Sequence, residues 1–196
     1  EKQIRVRVSA CGVCHTELDE IEGRTPPVSL PFIPGHQIVG FVDQQGPKAS
    51  KHAEGLRVGI GWIGSSCGKC RYCLRGLENL CPDFKATGRD LPGGYAQYVI
   101  VDQDFAFPIP SVYSDLQAAP LLCAGAIGWR SLRLAGLRDG ESLGLTGFGA
   151  SAHLVLTLAR HLYPRSEIFV FARSERERKF ALELGASWSG DTADKS

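Results

Sequence analysis

The chain has 196 residues, 43% of them apolar, and a formal net charge of +1. That length holds one large domain or parts of two, and the near-neutral balance leaves no electrostatic footprint for nucleic acid or an anionic membrane. No apolar run approaches the ~20 residues of a membrane helix and no secretory signal opens the chain, so a cytoplasmic location is expected.

The seven cysteines are an odd number in a chain without a secretory signal. Metal binding or catalysis accounts for them better than a disulfide framework. The chain begins inside a strand-like run and stops at residues 191–196, just after a helical one. Both ends read as cut, which suggests a fragment of a longer enzyme.

In chain order, Ile4 to Val8 alternates apolar and polar residues and predicts a strand. It runs into Cys11-Gly12-Val13-Cys14-His15-Thr16-Glu17, after which residues 16–20 read as a helix start with Thr16 as N-cap. A thiol between a strand end and a helix N-terminus sits in positive potential that favours the thiolate. By itself this C-x-x-C fits a redox pair, half of a zinc site or two buried thiols.

Residues 25–34 hold Pro26, Pro27, Pro31 and Pro34, an extended connector, before residues 35–42 turn into a strand. Residues 43–53 read as a polar loop and residues 56–62 as a glycine-lightened strand. Cys67, Cys70, Cys73 and Cys81 then form C-x2-C-x2-C-x7-C. Tight turns let such pairs aim their thiolates at one centre, and four thiolates leave no open position, so this is a structural zinc site. An iron–sulfur run shares the beginning and the closing Cys-Pro, but it needs three residues before its last cysteine, where this chain has seven. Residues 94–101 read as another strand, so the chain up to about Pro110 is mostly β and barrel-like.

After Pro110 the character changes. Residues 115–134 are helical with interruptions at Pro120, Gly125 and Gly128, residues 141–146 form a strand, and residues 150–162 form an apolar helix. Residues 167–171 are an apolar strand of the kind buried in a parallel sheet, and residues 175–184 form an amphipathic helix ended by Gly185. This strand–helix order is α/β. Between the first strand and helix stands Thr146-Gly147-Phe148-Gly149-Ala150-Ser151-Ala152, a G-x-G-x-x-A turn. In that context it reads as a dinucleotide-binding turn, the first glycine allowing the turn and the second the approach of a pyrophosphate; the bland alternative is a glycine-rich turn of any α/β protein. The second strand ends in Arg173 and Ser174 where an NAD site would carry an acid. Arginine suits a 2′-phosphate, so NADP is the preferred form of NAD(P); otherwise these residues are a solvated basic loop.

Together these features resemble the zinc-dependent medium-chain alcohol dehydrogenases, including their cinnamyl alcohol dehydrogenase-like branch. The resemblance rests on Cys11-Gly12-Val13-Cys14-His15-Thr16, Gly35-His36-Gln37, the four-cysteine lobe, Leu121-Leu122-Cys123-Ala124-Gly125 and Gly147-Phe148-Gly149, in that order along almost the whole chain. It implies a GroES-like domain over residues 1–124, with a zinc lobe at about 64–84, followed over residues 125–196 by the first part of a Rossmann NAD(P)-binding domain. It implies two zinc ions per chain, one catalytic on Cys14, His36 and Cys123 and one structural on Cys67, Cys70, Cys73 and Cys81. The reaction implied is hydride transfer between a primary alcohol or aldehyde and NAD(P), in a protein that is a homo-oligomer, dimer or tetramer, at full length.

The resemblance also assigns Thr16 to passing on the alcohol proton, Glu17 to orienting the histidine ligand, and His15 to the pyrophosphate. Trp62 is either a substrate-pocket residue or a core aromatic, and Cys11 matches no ligand. Two departures stand out: Gln37 where the family's Gly-His continues with Glu, and Asp19 where many members carry the relay's terminal His. The rival reading is a zinc-stabilised dinucleotide-binding module without catalysis, which needs one zinc per chain where the enzyme needs two.

Overall fold

The structure, a computed structural model, describes residues 1–191 and 193. Thr192 and residues 194–196, the last of the expected nucleotide-binding segment, lie outside the described residues. Contacts divide the chain into two units between Cys123 and Ala124.

The first unit is built on β1 (Gln3–Cys11), α1 (His15–Ile21), β2 (Ile38–Gln45), β3 (Arg57–Ile60), β4 (Ile63–Ser65), β5 (Lys85–Ala86), β6 (Tyr98–Asp102), β7 (Ala106–Pro108) and the short helix α2 (Asp115–Ala118). Five strands make one sheet in the order β6-β1-β2-β3-β7, and β4 pairs with β5 beside it. All of these pairings are antiparallel. The alternation that marked β1 in the sequence buries Ile4 and Val6 against Ile38, Val42, Val58, Ile60, Val99 and Val101. The β1–β2 register slips at Arg5/Val6 and again at Val8/Ala10, the two irregularities that curl a sheet into part of a barrel.

Three local outcomes differ from the sequence expectations. The cap of α1 is Cys14, whose Sγ accepts the Thr16 amide, so Thr16 lies inside the first turn instead of capping it. The polar loop after β2 starts later, because β2 runs on to Gln45. The strand read over residues 94–101 begins only at Tyr98. Gly93 and Gly94 are instead pressed against Pro34, Gly35, Ile38 and Cys11, closer than any side chain allows.

The second unit holds α3 (Ala124–Ala135), β8 (Leu143–Thr146), α4 (Ala150–Leu162), β9 (Ile168–Phe171), α5 (Glu175–Glu183) and β10 (Trp188–Gly190). Its sheet is parallel throughout, in the order β10-β9-β8. Ile168 and Val170 are fully buried against Leu132, Leu156 and Ala159, as the apolar run of β9 requires. The third strand, β10, went unseen in the sequence because its three residues carry no apolar run.

Candidate metal centre and nucleotide turn

Three remote segments bring Cys14, His36 and Cys123 together, with their ligand atoms all within 4.8 Å of one another. Cys14 Sγ lies 3.8 Å from His36 Nε2. Ligands on a tetrahedral zinc, with Zn–S about 2.3 Å and Zn–N about 2.0 Å, stand roughly 3.5–3.8 Å apart, so this spacing suits one shared ion.

Each donor is placed by its local sequence. Cys14 follows the end of β1 and caps α1, and its amide donates to Glu17 Oε2 at 2.7 Å, which closes a capping box. His36 stands two residues before β2 begins. Cys123 follows the 3₁₀ turn Ala119–Leu122. That turn sits close on β3: a Cβ on Gly59 would lie 2.8 Å from Leu122 Cδ2, and one on Gly61 would lie 3.0 Å from the Leu122 carbonyl. The glycines that lightened this strand in the sequence therefore admit the segment that carries Cys123.

The surroundings fit a divalent ion. His36 is 1% exposed, and its Nδ1 lies 2.5 Å from Glu17 Oε1, which leaves Nε2 directed at the sulfurs. Burial raises the Glu17 carboxyl, but hydrogen bonding from His36 and the Cys14 amide outweighs it, so the group stays below its ordinary pKa. The Cys123 thiol is pushed up to about 12, first by burial and then by the nearby Cys14 sulfur. A dication among the three donors would offset the burial that keeps the Cys123 thiol protonated.

Around the donors stand Trp62, already noted, and three residues that no motif marks, Glu20, Arg89 and Tyr95. Glu20, one turn beyond Glu17, is 5% exposed, and neither carboxylate oxygen has a hydrogen-bond partner. Burial, then the charge of Glu17, raises its carboxyl to about 7. Trp62 sets its ring edge-on to His36 at 5.0 Å, and the Arg89 guanidinium lies over the Trp62 ring, 5.4 Å from its centroid. Tyr95 donates its hydroxyl to the Gly12 carbonyl at 3.2 Å.

Other sequence candidates fall nearby without joining the cluster. The Cys11 thiol donates to the Gly12 carbonyl at 3.7 Å, outside the donor group, and burial raises its pKa to about 11. Gln37 is buried against Gly12, the amide oxygen 2.7 Å from where a Cβ on Gly12 would stand. Thr16 is half-buried in the first turn of α1. His15 is exposed and lies 3.8 Å from Asp19, which is held by Arg24 at 2.5 Å.

The second cluster brings Cys67, Cys70, Cys73 and Cys81 within the same 4.8 Å limit. Cys70 and Cys73 sulfurs are 3.5 Å apart, and those of Cys67 and Cys73 3.9 Å. Backbone amides of Lys69 and Cys70 lower the Cys67 thiol to about 7, toward the thiolate that metal binding needs.

These geometries, on an antiparallel GroES-like sheet, agree with what sequence comparison finds. A model of the alcohol dehydrogenase GroES-like domain matches residues 1–111. The chain belongs to the medium-chain alcohol dehydrogenase family.

Among its relatives is the "Probable alcohol dehydrogenase AdhA" of Mycobacterium tuberculosis, 48% identical over 98% of this chain and 57% of that protein. Cinnamyl alcohol dehydrogenase 8 of Arabidopsis thaliana is 34% identical over 95% of this chain and 54% of its own. Among solved structures, a cinnamyl alcohol dehydrogenase of Sorghum bicolor superposes with a TM-score of 0.90 at 32% identity, over 98% of this chain and 57% of that one. A second, from Helicobacter pylori, was solved with NADP(H) and gives 0.88 at 26% identity, over 96% and 56%. The chain thus spans a little over half the length of the relatives it matches.

In the second unit of the chain, the G-x-G-x-x-A turn joins β8 to α4. Gly147 has φ +79°, a conformation open to glycine, and its amide donates to the Phe171 carbonyl at 2.7 Å. Phe148 is buried in the core, and Gly149 caps α4 ahead of Ala150, Ser151 and Ala152. Among the described residues, nothing lies within 4 Å of where a Cβ on Gly147 or Gly149 would stand. Arg173 and Ser174 are exposed just after β9. Arg178 is instead tied down, donating to the carbonyls of Ala172 and Arg173, both at 2.8 Å. No helix among the described residues is long and apolar enough to cross a membrane.

Proposed function

We propose that this chain carries the metal centre and the first nucleotide-binding turn of a zinc-dependent, NAD(P)-linked alcohol dehydrogenase. It would transfer hydride between a primary alcohol or aldehyde and the nicotinamide. The observation that carries the reading is the meeting of Cys14, His36 and Cys123 within 4.8 Å. Two thiolates and one imidazole are the three-ligand set of a catalytic site with one position left for substrate. Cys14, His36 and Cys123 would hold a zinc ion whose Lewis acidity would lower the pKa of an alcohol hydroxyl.

The chain's own residues do the rest. Glu17 fixes the ring of His36 from its Nδ1 side and fixes Cys14 through its amide. Thr16 is the hydroxyl to which the alcohol proton passes. Asp19 and water are the route outward, with Asp19 already engaged by Arg24. Trp62 shapes the substrate side of His36. His15 and residues Gly147, Gly149, Ala150, Ser151 and Ala152 serve the pyrophosphate, and Arg173 with Ser174 receives a 2′-phosphate, which favours NADP. Cys67, Cys70, Cys73 and Cys81 hold a second, structural zinc.

On this reading residues 1–124 are the catalytic domain, with the zinc lobe at about 64–84, and residues 125–196 open the nucleotide-binding domain. The family resemblance extends the proposal to a cytoplasmic homo-oligomer acting on small alcohols.

Metal analysis tests it. Two zinc ions per chain are expected, with one lost in Cys14→Ser or Cys123→Ala together with all turnover. A single zinc in the unaltered chain, or turnover that survives either substitution, overturns the proposal.

A further inference from the structure

The ladder between β1 and β2 ends before it reaches the metal donors. Its last pair is Cys11 with Ile38, followed by one bond from the Gly12 amide to the Gln37 carbonyl at 2.9 Å. Cys14 and His36 both lie beyond that point, where the two strands part like a fork. Sheet hydrogen bonds hold neither of them in register with the other, so something else must.

On one side of the fork stands Glu17, already described. On the other stands the segment Gly93-Gly94-Tyr95. Its three amides donate in turn to the carbonyls of Ile33 at 2.7 Å, Gly35 at 2.9 Å and Pro34 at 3.1 Å. These are the residues that lead directly into His36. The Tyr95 ring lies flat enough on Gly35 that a Cβ there would meet its Cδ1 at 2.8 Å. From that seat the hydroxyl reaches across to the Gly12 carbonyl, two residues before Cys14. One side chain therefore touches both prongs, packing on the backbone that presents the histidine and bonding the backbone that presents the thiol. Gly35 has φ +100°, so the prong carrying His36 is shaped for this contact from within its own backbone as well.

We propose that Tyr95 is a positioning residue of the metal centre, tying the Gly12–Cys14 loop to the Pro34–His36 loop so that sulfur and imidazole keep the spacing one ion requires. The inference rests on the three-donor reading above. Tyr95 is not one of the three donors, and its effect passes through the two backbones.

Tyr95→Phe keeps the ring on Gly35 and removes only the bond to Gly12, while Tyr95→Ala removes both. Zinc release is followed with a chromophoric chelator in the 196-residue chain, and Cys14→Ser identifies the kinetic phase that belongs to the three-donor site. One neutral hydrogen bond corresponds to release about fivefold faster in the Phe variant. Loss of the whole support corresponds to about 10–100-fold in the Ala variant. Release from the four-thiolate lobe is expected to stay unchanged in both. Equal acceleration of the two phases would make Tyr95 a general stability residue and overturn the inference, as would an unchanged three-donor phase in both variants. Unaltered protein that takes up only one zinc would overturn the three-donor reading itself and this inference with it.

Discussion

Glu17 Oε1 lies 2.5 Å from His36 Nδ1, in a pair whose side chains are 2% and 1% exposed. The same carboxylate accepts the Cys14 amide through its other oxygen. One buried anion thus sets the orientation of two donors that stand twenty-two residues apart in sequence. Removing that anion while keeping its shape should loosen the ion more than the fold. Glu17→Gln is expected to lower zinc affinity of the three-donor site about 10–100-fold, measured by chelator competition. Wild-type affinity in that variant would remove Glu17 from the metal centre.

The four-cysteine lobe gives the complementary case. Its segment, residues 64–84, contains only short strands and 3₁₀ turns, and just one of its cysteines is buried. On the proposed two-zinc reading, a lobe built this way depends on cross-linking by an ion. Cys81→Ala should reduce zinc from two ions to one and expose this segment to proteolysis, leaving the three-donor site loaded. Limited digestion followed by mass spectrometry reads it, and an equally resistant lobe would contradict the assignment.

The approach of residues 93–95 to the His36 loop leaves no space for a methyl group. A Cβ on Gly93 would stand 2.3 Å from the Gly35 carbonyl oxygen and 2.4 Å from that of Pro34, both of them backbone. Gly93→Ala is expected to destabilise the first unit by about 1–3 kcal/mol, in the range of overpacked sites. Urea denaturation measures it, and a neutral effect would mean that this segment can move aside.

Acid should weaken the anchor of α2. Asp115 accepts from Ser9 and, at 2.7 Å, from Arg57 Nε. The Ser9 hydroxyl, then Arg57, hold its carboxyl below the ordinary value against the opposing cost of burial. A carboxyl depressed in the folded state contributes stability that is complete above its unfolded pKa, about 3.9, and is lost as pH falls through the lower folded value. Asp115→Asn should therefore cost about 0.5–1 kcal/mol at pH 7 and progressively less below about pH 4. Melting curves at the two pH values test this; a variant that parallels the parent at both would refute it.

Arg173 is exposed just past the end of β9, whereas Arg178 is committed to backbone carbonyls and to Asp191. Arg173→Ala is expected to weaken NADP binding about tenfold, as for loss of one charge-assisted bond, and to leave NAD binding unchanged. Equal losses for both dinucleotides would dissociate Arg173 from the 2′-phosphate.

Much of this protein was legible in the residues alone. The alternation of Ile4 to Val8 and the unbroken apolar run of β9 state which faces are buried, because side chains on a strand repeat every second residue. Helix α4 falls on Ala150–Leu162, the span its pattern indicates, and the cysteine spacing brings its four thiols to one centre. These features are local, set by neighbours a few positions away. Tertiary structure alone decided the rest. It broke the strand expected at Gly94 so that two glycines could meet Pro34 and Gly35, and gave Tyr95 and Glu20 their places beside the donors. The reason is physical: close backbone approach and burial depend on residues distant in the chain, and no local period records them.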